Sequence, residues 1–179
     1  MSNIKRSRDR TKTLWADTPW EDVAAYIGPN AEKFRKVWEK QRGRILEKGY
    51  GNTWSFCWGA FLLSYVWFFY RKQWLAGAML LGLPIIIAVL FPTVTEGLGG
   101  VAIIIALMGK SLYLQDAMPK IAKIRAAAPD DAARHAVLAA AGGTSKLAAI
   151  ISGVVFVLSI LALIASAVHG NGGVTGPGG

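Results

Sequence analysis

Residues 54–74 read WSFCWGAFLLSYVWFFYRKQW. From Trp54 to Tyr70 the run carries no charge, and it closes on Arg71 and Lys72. It is apolar enough to enter a bilayer, so whether it crosses sets the topology of everything that follows. A run of 17 residues is at the short limit for a helix that crosses ~30 Å of hydrocarbon. Aromatic side chains crowd it, among them Trp54, Trp58, Phe61, Tyr65, Trp67, Phe69, Tyr70 and Trp74. Rings of this kind collect where membrane meets water. The composition predicts an interfacial or re-entrant helix, against the alternative of a genuine span.

The charges on either side argue the same way. Three later blocks are long and uncharged enough to be membrane helices, at about 75–92, 97–114 and 147–168, the middle one interrupted only by Lys110. If 54–70 also crossed, Arg71 and Lys72 would face outward together with a connector, 115–146, that holds Lys120, Lys123, Arg125, Arg134 and Lys146. The PTVTEG turn, which has no basic residue, would face inward. That inverts the rule that lysine and arginine stay on the cytosolic side. With three spans, every basic residue is cytosolic or at the cytosolic boundary, and Lys110 can snorkel to the headgroups. The Gly-rich tail 169–179 is then periplasmic. Pro84 is expected to kink the first span without ending it.

Composition fits that architecture. Of 179 residues, 53% are hydrophobic and 17% charged, with the polar residues gathered in 1–53 and the apolar ones in long blocks after it. This is the pattern of a membrane protein with a cytosolic head. The start MSNIKRSRDRTKT has no apolar run after it, so no cleavable signal peptide is expected. The net charge of +9 raises nucleic acid as a partner, but the basic residues flank apolar blocks and no nucleic-acid signature accompanies them. Cys57 stands alone, which excludes an internal disulfide and a cysteine zinc site.

Two helices are expected in the head. In TPWEDVAAYIG, Thr18 and Glu21 have capping-box spacing, Pro19 suits the first turn, and Trp20, Val23, Ala24 and Ile27 form one face before Gly28 ends it. A second helix starts near Asn30, with Phe34, Val37, Trp38 and Ile45 on one face and Lys33, Lys36, Lys40 and Arg44 on another. It either packs on its neighbour as a hairpin or lies on anionic lipid. Residues 1–13 have a disordered composition. In the connector the sequence predicts a break at Pro129, an alanine-rich helix from Asp130, and glycines at 142 and 143 that end it. Thr144 or Ser145 then caps the last span, a better account of GGTS than a phosphate loop, which would need a preceding strand.

Four stretches, YIGPNAEKFRKVWEK (26–40), WSFCWGAFLLSYVWFFYRKQW, LYLQDAMPKIAKI (112–124) and GGTS (142–145), resemble domain-of-unknown-function family 2628, small bacterial inner-membrane proteins. Trp67, Tyr70, Arg71 and Lys72 match its aromatic-Tyr-Arg-Lys pattern, whereas Gln73 and Trp74 stand where the family often has methionine and an aromatic. The resemblance covers about 26–146, implies a multi-pass membrane protein, and supplies no activity.

Catalytic signatures are lacking in the sequence, and His135 and His169 are predicted on opposite sides of the membrane. The expectation is therefore an all-α membrane protein with three transmembrane helices, an aromatic interfacial or re-entrant helix, and a two-helix cytosolic head. No enzymatic role, cofactor or metal is expected. Its function is that of an accessory, assembly or scaffold protein in the bacterial inner membrane, with a small transporter or channel component as the alternative. The expected partners are the lipid bilayer, anionic phospholipid, and another membrane protein or complex. Tyr70, Arg71 and Lys72, with Lys33, Lys36, Lys40 and Arg44, are the candidate anionic-headgroup residues; an interfacial anchor is the simpler role for Arg71 and Lys72. Small residues at Ala148, Ala149, Ser152 and Gly153 are the candidate face for helix packing.

Overall fold

The structure is a computed structural model that describes residues 2–91, 98–128 and 130–171. Among these residues it is all-helical, with α1 (Ser2–Asp17), α2 (Trp20–Ile27), α3 (Glu32–Lys48), α4 (Trp58–Leu63), α5 (Tyr65–Tyr70), α6 (Trp74–Leu90), α7 (Leu98–Ala127), α8 (Asp131–Ala141) and α9 (Lys146–Asn171). The turn at 92–97, Pro129 and the tail beyond 171 lie outside the described residues.

The head has three helices, not two. The basic start is helical because it has something to lie on. Trp15 is buried, Lys12 donates to the Glu47 carbonyl at 3.0 Å, and Arg42 donates to the carbonyls of Trp15 and Ala16 at 2.9 and 3.0 Å. Those are terminal carbonyls of α1 that would otherwise lack partners. Thr18 does not cap α2. Its hydroxyl donates back to the Leu14 carbonyl at 2.7 Å, leaving Pro19 at the cap position with no side-chain bond. Gly28 ends α2 at φ 73° and Gly49 ends α3 at φ 79°, both conformations that favour glycine.

The apolar face of α3 is covered by protein. Phe34, Val37 and Ile45 join Val23, Ile27, Tyr113, Leu114, Met118 and Ile121 in one core between the head and the C-terminal half of α7. Trp20 meets Trp38 with ring centroids 5.3 Å apart, and Phe34 meets Tyr113 at 5.4 Å. Lys33, Lys36 and Lys40 are left exposed on the far side of α3.

The opening stretch is neither one span nor one flat helix. The Ser55 and Cys57 amides donate to the Leu107 and Ala106 carbonyls of α7 at 2.8 and 2.9 Å, so the chain enters extended along that helix. It then forms α4, turns at Ser64 (φ 43°), and continues as α5. Each helix has 6 residues, about 9 Å of rise against ~30 Å of hydrocarbon. Gly59 and Trp67, about 12 Å apart in a continuous helix, are in contact. A Cβ at Gly59 would lie 2.4 Å from the Trp67 indole. The stretch is a folded-back pair of helices, in which α4 packs on α7 and α5 lies against α6 and α9.

Pro84 and Pro119 lie inside α6 and α7 without ending either. The helix whose span is expected over 97–114 runs on to Ala127, short of the break expected at Pro129, and its second half packs against the head. Among the described residues, one helix is long and apolar enough to cross a membrane, within Asp131–Ala162. Since α8 ends before Gly142, the apolar run is that of α9. The apolar helix at Trp74–Ile87 is shorter. Length and composition of the described helices thus fall short of the three spans read from the sequence.

Candidate functional site: a buried arginine junction

The four stretches that carry the family resemblance meet in space. Tyr26 lies in the last turn of α2, and its carbonyl accepts from the Gly143 amide at 2.7 Å. This approach requires glycine beside it, since a Cβ at Gly142 would lie 2.0 Å from the Tyr26 carbonyl oxygen. The Ser145 amide donates to the Tyr70 carbonyl at 2.8 Å, while the Ser145 hydroxyl accepts from the Ala148 amide at 3.2 Å and so caps α9. Asp130 caps α8 in the same way, through the Ala133 amide at 2.9 Å.

Arg71 stands at the centre of this joint. Although it follows the aromatic stretch, where an interfacial anchor or headgroup-binding residue is expected, it is only 7% exposed. Its Nη1 donates to the Ile27 carbonyl at 3.1 Å, across 44 positions of sequence. Its guanidinium carbon lies 5.0, 5.5 and 5.8 Å from the ring centroids of Phe34, Tyr113 and Tyr70. Among the described residues no carboxylate pairs with it and Nε makes no hydrogen bond. Three π faces and one carbonyl therefore hold the buried charge, each ring contributing about 0.5–2 kcal/mol in such settings. The next residue, Lys72, adopts φ 58° and donates to the Ala140 carbonyl of α8 at 3.1 Å.

A second polar cluster ties the same elements together, and little in the sequence points to it. Asp22 is fully buried on α2. Arg125 Nε of α7 lies 2.9 Å from its Oδ2, while Arg134 Nε and His135 Nε2 of α8 lie 3.1 Å from its Oδ1. The Asp22 hydrogen bond pushes the Arg134 guanidinium further above its ordinary value. In the sequence Asp22 looks like a first-turn acid that favours the helix dipole. The one available sign is that it lies a turn before Tyr26, on the face that turns inward. The Tyr26 hydroxyl is pushed up to about 12, first by burial and then by the Asp116 charge, so it stays neutral and able to donate.

The remaining expected site residues scatter. Arg44 donates to the Asn52 carbonyl at 2.6 Å, far from Arg71 in the head. Ser152 is buried and donates to the Ala148 carbonyl at 2.6 Å. Ala148 and Ser152 line a groove with Tyr65 and Phe69 of α5, so part of the small-residue face is taken within the chain. Ala149 is half-buried, and a Cβ on Gly153 would meet nothing within 4 Å. Among the described residues no three His, Cys, Asp or Glu side chains gather as metal ligands. The chemistry of the junction is that of a fastener: it holds α2, α5, α7 and α8 in one arrangement.

The family model described as "Protein of unknown function (DUF2628)" matches residues 23–124, more than half of the chain. The chain belongs to that family. No curated protein and no solved structure matches it.

Proposed function

We propose that this member of the DUF2628 family is a three-span membrane protein with a non-enzymatic accessory or scaffold role, its helical head held on the cytosolic face. The observation that carries this reading is the joint at Arg71. It fastens the head, the Arg71–Lys72 turn and the connector together at one end of three uncharged segments. No charged residue occurs in 73–95, 97–109 or 147–168. Large apolar side chains on α6 and α9 are exposed, such as Leu83, Val89, Ile150, Val154 and Leu158, and lipid is the solvent in which that exposure has no cost. Such a placement makes α6 and the first half of α7 spans alongside α9, with the basic end cytosolic. The polar groups at the joint are engaged in holding backbone, which suits a rigid platform for another membrane protein.

Alkaline carbonate extraction of membranes, followed by purification in mild detergent, tests the reading. The protein is expected to stay in the membrane pellet and to purify with one membrane partner in fixed stoichiometry. Release into the carbonate supernatant would overturn the membrane placement. A homo-oligomer that passes ions in liposomes would overturn the accessory role.

A further inference from the structure

Beside the joint, and sharing Tyr26 and Lys72 with it, a basin of about 630 Å³ opens between α7, α8 and the start of α6. Lys72, Lys120 and Lys123 line it with Tyr26, Trp74 and Val137. A smaller groove of about 400 Å³ adjoins it between α6 and α7, lined by Leu75, Met79 and Leu112, and Lys72, Trp74 and Lys120 border both. We propose that basin and groove together hold one two-chain anionic phospholipid of the head-side leaflet. Its phosphate lies among the three lysines and one acyl chain along the groove. This rests on the membrane placement proposed above.

Charge comes first. Lys120 pairs with Asp116 at 2.6 Å, Lys72 donates to a carbonyl, and Lys123 makes no hydrogen bond or ion pair among the described residues. Lysines outnumber carboxylates at the rim, and a phosphodiester supplies the missing anion. The apolar wall then selects a lipid over free phosphate. Leu75 and Met79, which line the groove with Lys72 and Lys120, are 74% and 55% exposed, a surface that inorganic phosphate would leave uncovered. Trp74, on the border of both spaces, is 57% exposed, and indoles seat at headgroup depth.

Length agrees as well. Leu112 and Lys123 lie on the same helix, eleven positions apart, which is about 16 Å at 1.5 Å per residue. That covers a headgroup layer of about 5–7 Å and the first part of an acyl chain.

The test uses the full chain, delipidated in nonionic detergent, titrated with dioleoylphosphatidylglycerol and read by native mass spectrometry and thermal shift. One molecule is expected to be retained and to raise Tm, while dioleoylphosphatidylcholine and millimolar inorganic phosphate do neither. The double variant Lys120→Gln/Lys123→Gln is expected to bind about 30-fold more weakly with its lipid-free Tm unchanged. The triple variant Lys33→Gln/Lys36→Gln/Lys40→Gln, on the exposed face of α3, should bind as the parent does. Equal retention of the neutral lipid overturns the proposal, as does undiminished binding by the double variant or loss of binding in the triple one. A peptide or protein retained at the basin in place of lipid would overturn it too. Should the double variant fail to fold, the contrast between the two lipids on the parent chain still decides. Carbonate extraction separates the two levels: a protein that stays in the membrane yet retains no phosphatidylglycerol loses this inference and keeps the placement.

Discussion

Arg71 shows how a residue type misleads when its context is one-dimensional. A cation at the end of an aromatic stretch has the signature of an interfacial anchor, and only the partner elements reveal that it turns inward. Its rings come from three places in the chain, Phe34, Tyr70 and Tyr113, and its acceptor from a fourth, Ile27. Lysine keeps the charge but loses the planar fork and the stacking surface. Arg71→Lys is therefore expected to cost about 1–2 kcal/mol, and Arg71→Ala, which also strands the buried Ile27 carbonyl, about 3 kcal/mol. Thermal unfolding of the detergent-solubilised chain, followed by tryptophan fluorescence, measures both. A lysine variant as stable as the parent would mean that the charge alone matters and the rings do not. Glycines were more legible. Gly28 announced the end of α2, and the pair at 142 and 143 announced the end of α8, because a glycine after an apolar periodicity has one common meaning. What the sequence could not convey is that Gly142 is also needed for the approach of the Tyr26 carbonyl.

At the scale of elements, long apolar runs and helix punctuation were readable, and pairings were not. The sequence predicted α2, α3, α8 and the apolar helices to within a few residues, since periodicity and caps are local signals. It missed α1, whose helicity depends on Arg42 and Trp15 meeting 27 positions apart. It treated 54–70 as a single piece because Ser64 carries no breaker signal; the turn there, at φ 43°, brings Trp67 onto Gly59, a contact between residues eight positions apart that no local signal announces. Asp22 belongs to this scale, since it binds α2 to α7 and α8. Asp22→Asn keeps the shape and removes the charge that faces Arg125, Arg134 and His135. The partners are partly exposed, so the expected loss is on the order of 2 kcal/mol, less than a fully buried pair would show. Hydrogen exchange should speed up in α2 and α8, and the gap to the parent should narrow at about 1 M salt as the charges are screened. Unchanged protection in both helices would show that the apolar core alone docks the head.

For the whole molecule the question is which ends share a side. The charge pattern argues that Arg71, Lys72 and the connector stay with the head, and the hydrogen bonds from Gly143 to Tyr26 and from Arg71 to Ile27 bring those segments into contact. Neither half of the folded-back pair is long enough to carry the chain across. Single-cysteine labelling tests this most directly, because Cys57 is the sole cysteine of the chain and is buried. In a Cys57→Ala background, Lys40→Cys places a thiol on the exposed face of α3 and Ala139→Cys places one on the exposed face of α8. Thr95→Cys, in the sequence between the first two proposed spans, reports the opposite side. With a membrane-impermeant maleimide on sealed bacterial spheroplasts, positions 40 and 139 should both stay unlabelled until the membrane is opened, while position 95 labels at once. Labelling of position 139 in sealed spheroplasts while position 40 stays protected would place an odd number of crossings between them and contradict the account.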